Sequence, residues 1–169
     1  AKNALELARV AEERKGDVVL TVGDNQCALD FGDMYITSRL VAGTFPDYEQ
    51  IIPKEYVSEL TVLTKDLASA LRKTSIFLNK FMQLTWTLGE GTLTLSSQSS
   101  ESGATTESVH ATTHGEELRL NFNQRYISDI LPHLTDDSIK VRCAGIGRPM
   151  VVTNAHEGSL RYLIMPMNK

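Results

Sequence analysis

The spacing of hydrophobic and polar residues predicts the order of helices and strands along the chain. Residues 1–16 place Ala4, Leu7 and Ala11 at helical spacing, and Gly16 follows them as a helix stop. Three runs with strand character come next, DVVLTVG, NQCALDFG and MYITSRLVAG, and short turns containing Gly and Asp separate them. This part of the chain therefore predicts one helix followed by three strands.

A longer repeat follows a segment that Pro46 and Pro53 bracket. That segment resists regular structure and predicts an interdomain linker. After it, the order strand, helix and three strands occurs twice, with a period of about 55–60 residues. The first helix covers 65–79 with Thr64 as its cap, and the second covers NQRYISDILPHL. Because tight turns join most strands, we predict an α+β fold of repeated β-α-β-β-β units, with antiparallel sheets outside and paired helices on the inner face.

Composition agrees with a globular protein. The 169 residues are 41% hydrophobic and 22% charged, and the formal net charge of −4 argues against a surface coated in positive charge to grip nucleic acid. No apolar run approaches the ~20 residues that cross a membrane, and no signal peptide opens the chain, so we expect a cytoplasmic protein. The missing initiator Met favours a fragment. Cys27 and Cys143 lie in predicted strands and are interpreted as buried free thiols.

Candidate catalytic and metal motifs do not assemble into a site. His110 and His114 lie in a strand-like run, where their rings would be about 13 Å apart at ~3.3 Å per residue, so we predict no metal. The glycines of AGIGRP lie between two strands and predict a hairpin turn, since a phosphate loop needs a helix directly after it. The run SSQSSESGATT predicts a mobile, solvated loop and strand edge and contains no nucleophile elbow. We therefore expect no cofactor and no enzymatic activity.

Basic residues on the predicted helices form a candidate surface for DNA. Lys65 and Arg72 share one helix face, Lys73 is adjacent, and Arg125 lies on the polar side of the last helix. A solvated surface of mixed charge is the alternative interpretation. If the repeats align their helices, the cations converge on a wall that attracts phosphates without reading bases. The candidate DNA-facing residues are Lys2, Arg9, Lys65, Arg72, Lys73 and Arg125.

The last residues are unusually apolar for a chain end. The run from Leu163 through Met165 to Met167 reaches almost to the last residue, whereas terminal segments are usually polar and frayed. Alternation in a strand buries only one side of such a run. Core packing and an adaptable groove rich in Met that binds partner peptides remain two interpretations.

Four segments resemble one family in its own order along the chain. They are TSRLVAGTFPDYEQIIP, FNQRYISDIL, GRPMVV and LRYLIMPM, and they resemble bacterial DNA polymerase III beta subunits, the beta sliding clamps. The resemblance implies the DNA-clamp fold, with three similar domains per chain and two chains closed into a ring. It implies that residues 1–55 are the second half of a middle domain plus a linker, and that residues 56–169 are a complete carboxy-terminal domain.

The resemblance also implies a function without catalysis. The expected role is a replication processivity factor that encircles duplex DNA and docks partners through short linear motifs, with affinities on the order of micromolar. Expected partners are the polymerase III catalytic subunit, the clamp loader, translesion polymerases, mismatch-repair proteins and ligase. The alternative is a β-rich scaffold module that binds peptides and forms no ring. The implied partner pocket contains Pro46, Gln50, Ile51, Asn123, Tyr126, Gly147, Arg148, Pro149, Met150, Leu163, Ile164, Met165, Pro166 and Met167.

One departure and one interface complete the comparison with the family. Gln50 stands where the family often has arginine, so a cation beside the pocket is absent. Ring closure in a full-length homodimer would use one helix end and the edge of one strand. For Ile76, packing in the core is the alternative interpretation. The implied interface residues are Ile76, Phe77, Thr106, Glu107, Ser108 and Val109.

Overall fold

The chain folds as two compact units, Ala1–Pro46 and Asp47–Lys169. The computed structural model describes residues 2–14, 16–156 and 160–167. The helices in these ranges are α1 (Lys2–Glu13), α2 (Thr64–Thr74) and α3 (Gln124–Ile130). The strands are β1 (Val19–Val22), β2 (Gln26–Asp30), β3 (Tyr35–Arg39), β4 (Ser58–Leu63), β5 (Gln83–Gly89), β6 (Thr92–Ser99), β7 (Gly103–Gly115), β8 (Leu118–Asn123), β9 (Ser138–Cys143), β10 (Met150–Asn154) and β11 (Arg161–Ile164). No helix in the described ranges is long and apolar enough to span a membrane.

The first unit is a three-stranded antiparallel sheet with one helix, as the sequence predicts. The strands pair in the order β1-β2-β3. The pairing places Leu20, Leu29 and Ile36 side by side on one face. The Asn3 amide donates to the Ser38 hydroxyl at 3.1 Å, so α1 approaches this same apolar face. The linker that Pro46 and Pro53 bracket belongs from Asp47 onward to the second compact unit.

The second unit contains both copies of the predicted repeat, β4-α2-β5-β6-β7 and β8-α3-β9-β10-β11. Its eight strands pair antiparallel in the order β11-β10-β9-β4-β7-β6-β5-β8. The first copy pairs its first strand with its last, β4 with β7. In the second copy the Met167 N–H donates to the Asn121 carbonyl of β8 at 2.7 Å, which is the equivalent contact. The two ends of the strand order therefore meet.

Strict alternation builds the core of this unit. In β5, β6 and β9 every second side chain is buried, as expected for a sheet with one covered face. Trp86 and Phe122 lie at the centre with ring centroids 5.9 Å apart in an edge-to-face contact. The helices α2 and α3 cover the buried face and contact each other, since the Gln124 side-chain amide donates to the Leu71 carbonyl at 2.8 Å.

Several local predictions were wrong at the ends of helices. Thr64 does not cap α2, because its hydroxyl donates to the Asp136 carbonyl at 2.8 Å. The helix ends at Thr74, whose carbonyl accepts the buried Ser97 hydroxyl, and a 3₁₀ turn continues to Phe77. The second helix also stops early, at Ile130, and continues as a 3₁₀ turn that contains Pro132.

Two predicted loops have more structure than expected. The run SSQSSESGATT is a tight hairpin between β6 and β7, with Gly103 at φ +99°. Its two sides belong to β6 and β7, which pair as far as Ser99 and Gly103, so the strand edge predicted for this run is present. The linker contains a 3₁₀ turn, Tyr48–Ile51, because the Asp47 carboxylate accepts the Glu49 N–H at 3.2 Å and caps it.

Candidate functional site

The linker and the last strand of the second unit face each other across a cleft of about 570 Å³. The sequence predicted that these two segments form walls of one peptide groove. Of the residues predicted for that groove, only Leu163 is among those that line this cleft, so the groove stays a prediction. One wall belongs to the residues around the 3₁₀ turn, and the other to β11. The cleft combines apolar side chains with both signs of charge. It is lined by Tyr48, Glu49, Ile52, Pro53, Lys54, Arg161 and Leu163.

The linker wall is held by its own hydrogen bonds. Asp47 accepts the Gln50 side-chain amide at 2.8 Å in addition to the cap described above, so Gln50 lies against the turn. Ile51 is exposed next to it. Farther along, the Arg142 guanidinium stacks on the Tyr56 ring at 4.8 Å, and the Val57 N–H donates to the Cys143 carbonyl. The linker is therefore fixed to the sheet at its end.

The last strand divides its side chains between the core and the surface. Ile164 is 3% exposed and belongs to the core, whereas Leu163 faces the cleft and Met165 is 60% exposed. The strand ends at Ile164, and the predicted extension through Met167 is irregular, although its backbone bonds to β8. Core packing thus applies to Ile164, whereas peptide binding by the exposed residues of this run stays a prediction. Arg161 lies on the same side as Leu163 and was missed, although the two-residue spacing could have identified it.

The start of α3 lies near this strand. Burial raises the pKa of Tyr162, and the nearby Asp129 carboxylate and Tyr126 raise it further. Tyr126 itself is 53% exposed. The Asn123 oxygen accepts the Arg125 N–H and its amide donates to the Phe81 carbonyl, which leaves one N–H and one lone pair for a ligand, so its pocket role stays a prediction. Its role in the structure is to cap the helix.

The hairpin between β9 and β10 supplies the remaining pocket candidates. It is a turn, as predicted, with Gly147 at φ +72° and the Arg148 N–H bonded to the Gly145 carbonyl. Gly147 and Arg148 are exposed and Pro149 is partly buried. Met150 is fully buried, so Met150, like Ile164, can support a groove from beneath but cannot line its surface. The pocket roles of these residues otherwise stay predictions, as does that of the exposed Pro46.

The candidate DNA-facing cations are exposed, but they differ in their partners. Lys65 and Arg72 lie on α2 and Arg125 begins α3, whereas Lys2 and Arg9 belong to the first unit. Arg9 forms ion pairs with Glu6 and Glu13 of its own helix. Lys73 binds Glu107 of β7 at 2.8 Å, so its charge is partly neutralised. A role in DNA contact stays a prediction for all of them.

The interface candidates lie at the end of α2 and on one half of β7. Residues 103–109 pair with β6 on one side, and no described strand pairs with their other side. Ile76 is exposed and Phe77 packs near Gly103. Val109 is buried, so it can contribute only its backbone. Hydroxyl groups line the outer side, where Thr106 and Ser108 lie within hydrogen-bonding distance of Ser96 and Thr94.

Within the described ranges, no three His, Cys, Asp or Glu side chains are grouped as a metal site would require. His110 and His114 lie in β7, as expected. The two cysteines differ from the prediction that both are buried. Cys143 is buried, and burial raises the pKa of its thiol to about 12, whereas Cys27 is only half-buried.

Known proteins match this chain along nearly its whole length. The family model for the C-terminal domain of the DNA polymerase III beta subunit matches residues 49–168. The beta sliding clamps of Vibrio cholerae and Pseudomonas aeruginosa are 27% and 28% identical over 98% of this chain and 46% of their own length. A crystal structure of the Pseudomonas aeruginosa sliding clamp with a ligand has a TM-score of 0.89, at 27% identity over 99% of this chain and 46% of that one. The chain spans about half the length of the curated relatives it matches.

Proposed function

Because this chain belongs to the family of DNA polymerase III beta subunits and has their clamp fold, we propose that it acts as part of a sliding clamp, a processivity factor for DNA replication. In this role the whole protein encircles duplex DNA and catalyses no reaction. The ring, made by two full-length chains, holds polymerases and repair proteins on the DNA. Affinity then comes from the topological link more than from charge contacts, which suits a chain of net charge −4.

Within this function, the proposed role of the second unit is to bind partner peptides. The cleft between the linker and β11 is the observation that supports it, because two segments far apart in the sequence form one concave surface. Leu163 lines the cleft with an apolar side chain, Met165 follows it in the chain with an exposed thioether, and the exposed phenol of Tyr126 lies near Tyr162 of β11. Such groups desolvate the Leu and Phe side chains of a linear motif, and the flexible thioether adapts to different partners.

In this proposal, the residues that contact the DNA backbone are Lys65, Arg72 and Arg125. They are exposed on the two inner helices of the second unit, and no ion pair engages them within the described residues. Lys73 contributes less, because its ammonium binds Glu107. Contacts of this kind hold phosphates without reading bases.

Ring closure would use the open side of residues 103–109 together with Ile76. An unpaired strand edge accepts another strand through main-chain hydrogen bonds, and an exposed aliphatic side chain beside it adds apolar area. Glu107 faces α2 and not the edge, so its contribution is to hold α2 against β7.

Peptide docking is tested by fluorescence anisotropy with a labelled peptide that contains a Leu-Phe pair. The double variant Tyr126→Ala, Met165→Ala is expected to bind at least about tenfold more weakly, since it removes two exposed contact side chains. The matched control is Tyr35→Ala, Met34→Ala, which removes the same two side-chain types from the first unit. Equal affinities of the wild type and the Tyr126, Met165 variant would show that the pocket assignment is wrong.

A further inference from the structure

A buried amide joins the two inner helices of the second unit. Gln124 is the first residue of α3 and is only 5% exposed. Its side-chain amide donates to the Leu71 carbonyl, in the last turn of α2, at 2.8 Å. Because a carbonyl can only accept, this bond fixes which end of the Gln124 amide faces α2. The two helices are therefore connected by a specific polar contact in addition to apolar packing.

The Leu71 carbonyl does not need Gln124 as a hydrogen-bond donor. It also accepts the Thr74 hydroxyl at 3.1 Å and the Ser75 N–H at the end of its own helix. The other end of the Gln124 amide, Oε1, is buried and has no hydrogen-bond partner among the described residues, which carries a free-energy cost. A buried polar side chain with such a cost points to a role in holding one particular arrangement.

Each end of this bond lies one residue away from a candidate DNA-facing cation. Leu71 directly precedes Arg72, and Gln124 directly precedes Arg125. Both arginines are exposed, and neither forms an ion pair within the described residues. Two like charges on neighbouring helices repel each other, so their helices need a restraint. The Gln124 bond supplies this restraint next to the backbone positions that carry the two cations.

Both helix ends are also fixed independently of this bond. The Gln124 N–H donates to the Met82 carbonyl at 2.9 Å, which holds the backbone at the start of α3. On the other helix, the Thr74 carbonyl accepts the buried Ser97 hydroxyl at 2.7 Å, which ties the last turn of α2 to β6. Loss of the side-chain amide would therefore leave each helix end attached, but it would remove a direct link between the two.

We propose that Gln124 is a positioning residue for DNA contact. Its amide holds the start of α3 against the last turn of α2, so that Arg72 and Arg125 meet neighbouring phosphates of one duplex at the same time. The two contacts then support each other, since neither cation has to be brought into place after the other binds. This inference rests on the proposed contact of these arginines with DNA, and it adds a buried residue that itself touches no phosphate.

The test measures the affinity for a short labelled duplex by fluorescence anisotropy over a range of low salt concentrations. The slope of log affinity against log salt changes by about 0.9 for each phosphate contact that is lost. Arg125→Gln should reduce the slope by that amount and the affinity by about threefold. Gln124→Met keeps the size of the side chain without its amide, and it should cause a similar loss although both arginines are present. Adding Arg125→Gln to Gln124→Met should then change little further.

The control Gln98→Met makes the same exchange at an exposed position of β6, and it should leave the slope and the affinity unchanged. Urea unfolding should show that Gln124→Met is at least as stable as the wild type, because the exchange removes the buried oxygen that has no partner. A stable variant with a reduced slope separates positioning from a purely structural role.

The inference is overturned if Gln124→Met keeps the slope and affinity of the wild type while Arg125→Gln lowers them, and DNA contact by the arginines then stands without it. A Gln124→Met variant that unfolds more easily but keeps the slope overturns it as well, since the amide then has a structural role only. If Arg72→Gln and Arg125→Gln both bind as the wild type does, or if the wild type binds no duplex, the proposed DNA contact fails together with the inference.

Discussion

The two units build antiparallel sheets from similar strand patterns, yet they bury them to different degrees. In the second unit β5 and β6 bury every second residue, with Trp86 and Leu93 fully inaccessible. In the first unit Leu20 and Val22 are more than 60% exposed, and Ala28 is the only hydrophobic residue that is buried among those the structure describes. Sheet pairing alone therefore does not make a core.

The difference arises from what covers each sheet. In the second unit, two repeats place α2 and α3 on the same buried face, and each repeat covers part of the other. Among the described residues, the first unit holds one helix and three strands, whereas the second holds two helices and eight strands. An apolar sheet face adds about 25 cal/mol per Å² to the free energy of unfolding, but only over the area from which folding removes water. The first unit thus depends more on hydrogen bonds and ion pairs, and the second on apolar burial.

The largest expected effect comes from removing a core side chain of the second unit. Phe122→Ala should lower its free energy of unfolding by about 3–5 kcal/mol, because it leaves a cavity beside Trp86. Tyr35→Ala in the first unit should change stability by less than about 0.5 kcal/mol, since its ring is exposed. Urea unfolding followed by fluorescence of Trp86, the single tryptophan, measures the first value. Similar losses in both variants would contradict the contrast between the units.

A smaller effect separates the two cysteines through pH. Burial raises the pKa of Cys143 from 9.0 to about 12, so folding favours the neutral thiol. That stability is fully present below pH 9 and is lost as the pH rises toward 12. The loss amounts to about 1.4 kcal/mol per pH unit, or about 2 kcal/mol by pH 10.5. Unfolding measured at pH 8 and pH 10.5 should show this slope.

The slope should disappear in Cys143→Ala and persist in Cys27→Ala, which is the matched control. A thiol reagent offers an independent check at neutral pH, where it should modify the half-buried Cys27 in the native protein and Cys143 only after unfolding. Fast modification of both thiols would mean that the core of the second unit opens as readily as the first unit.

The smallest expected effect concerns the surface ion pairs. Lys73 and Glu107 join α2 to β7 at 2.8 Å, with the Glu107 side chain 26% exposed. A double-mutant cycle with Lys73→Met and Glu107→Gln should give a coupling energy of about 0.5 kcal/mol, reduced by salt.

In the first unit, the hydrogen bond from Arg14 lowers the pKa of the exposed Asp33. An NMR titration should show that pKa return toward 3.8 in Arg14→Gln.

Much of the fold follows from local pattern. The alternation of apolar and polar residues in runs such as LTWTL predicts strands with one covered face. The order strand, helix and three strands occurs twice and predicts the elements of the second unit. Part of the candidate site can be predicted from the sequence in the same way. The linker and the terminal strand were recognised, and Leu163 lines the cleft between them. Ile164 was assigned to the same surface, but only the alternation of β11 in its sheet decides that this side chain enters the core.

Contacts between distant segments could not be read from the sequence. Thr64 looks like a helix cap, but Asp136 from another loop takes its hydroxyl. Phe81 begins the run FMQLTWTL, which has strand character, but it lies in a turn before β5, where the Asn79 side-chain oxygen accepts its N–H and its carbonyl accepts the Asn123 amide. A side chain's partner depends on which atoms folding brings within about 3 Å, a distance unrelated to separation along the chain.

The sequence by itself determined the repeat, the strand and helix order, and the family, because periodicity and local motifs are properties of neighbouring residues. Only the tertiary structure decided which apolar residues are buried and which are available. Met150 and Met165 have the same chemistry, yet one is fully buried and the other is 60% exposed. The physical reason is that burial is a property of the surroundings: Met150 lies in a strand whose inner face is covered by the core, whereas Met165 lies beyond the end of β11.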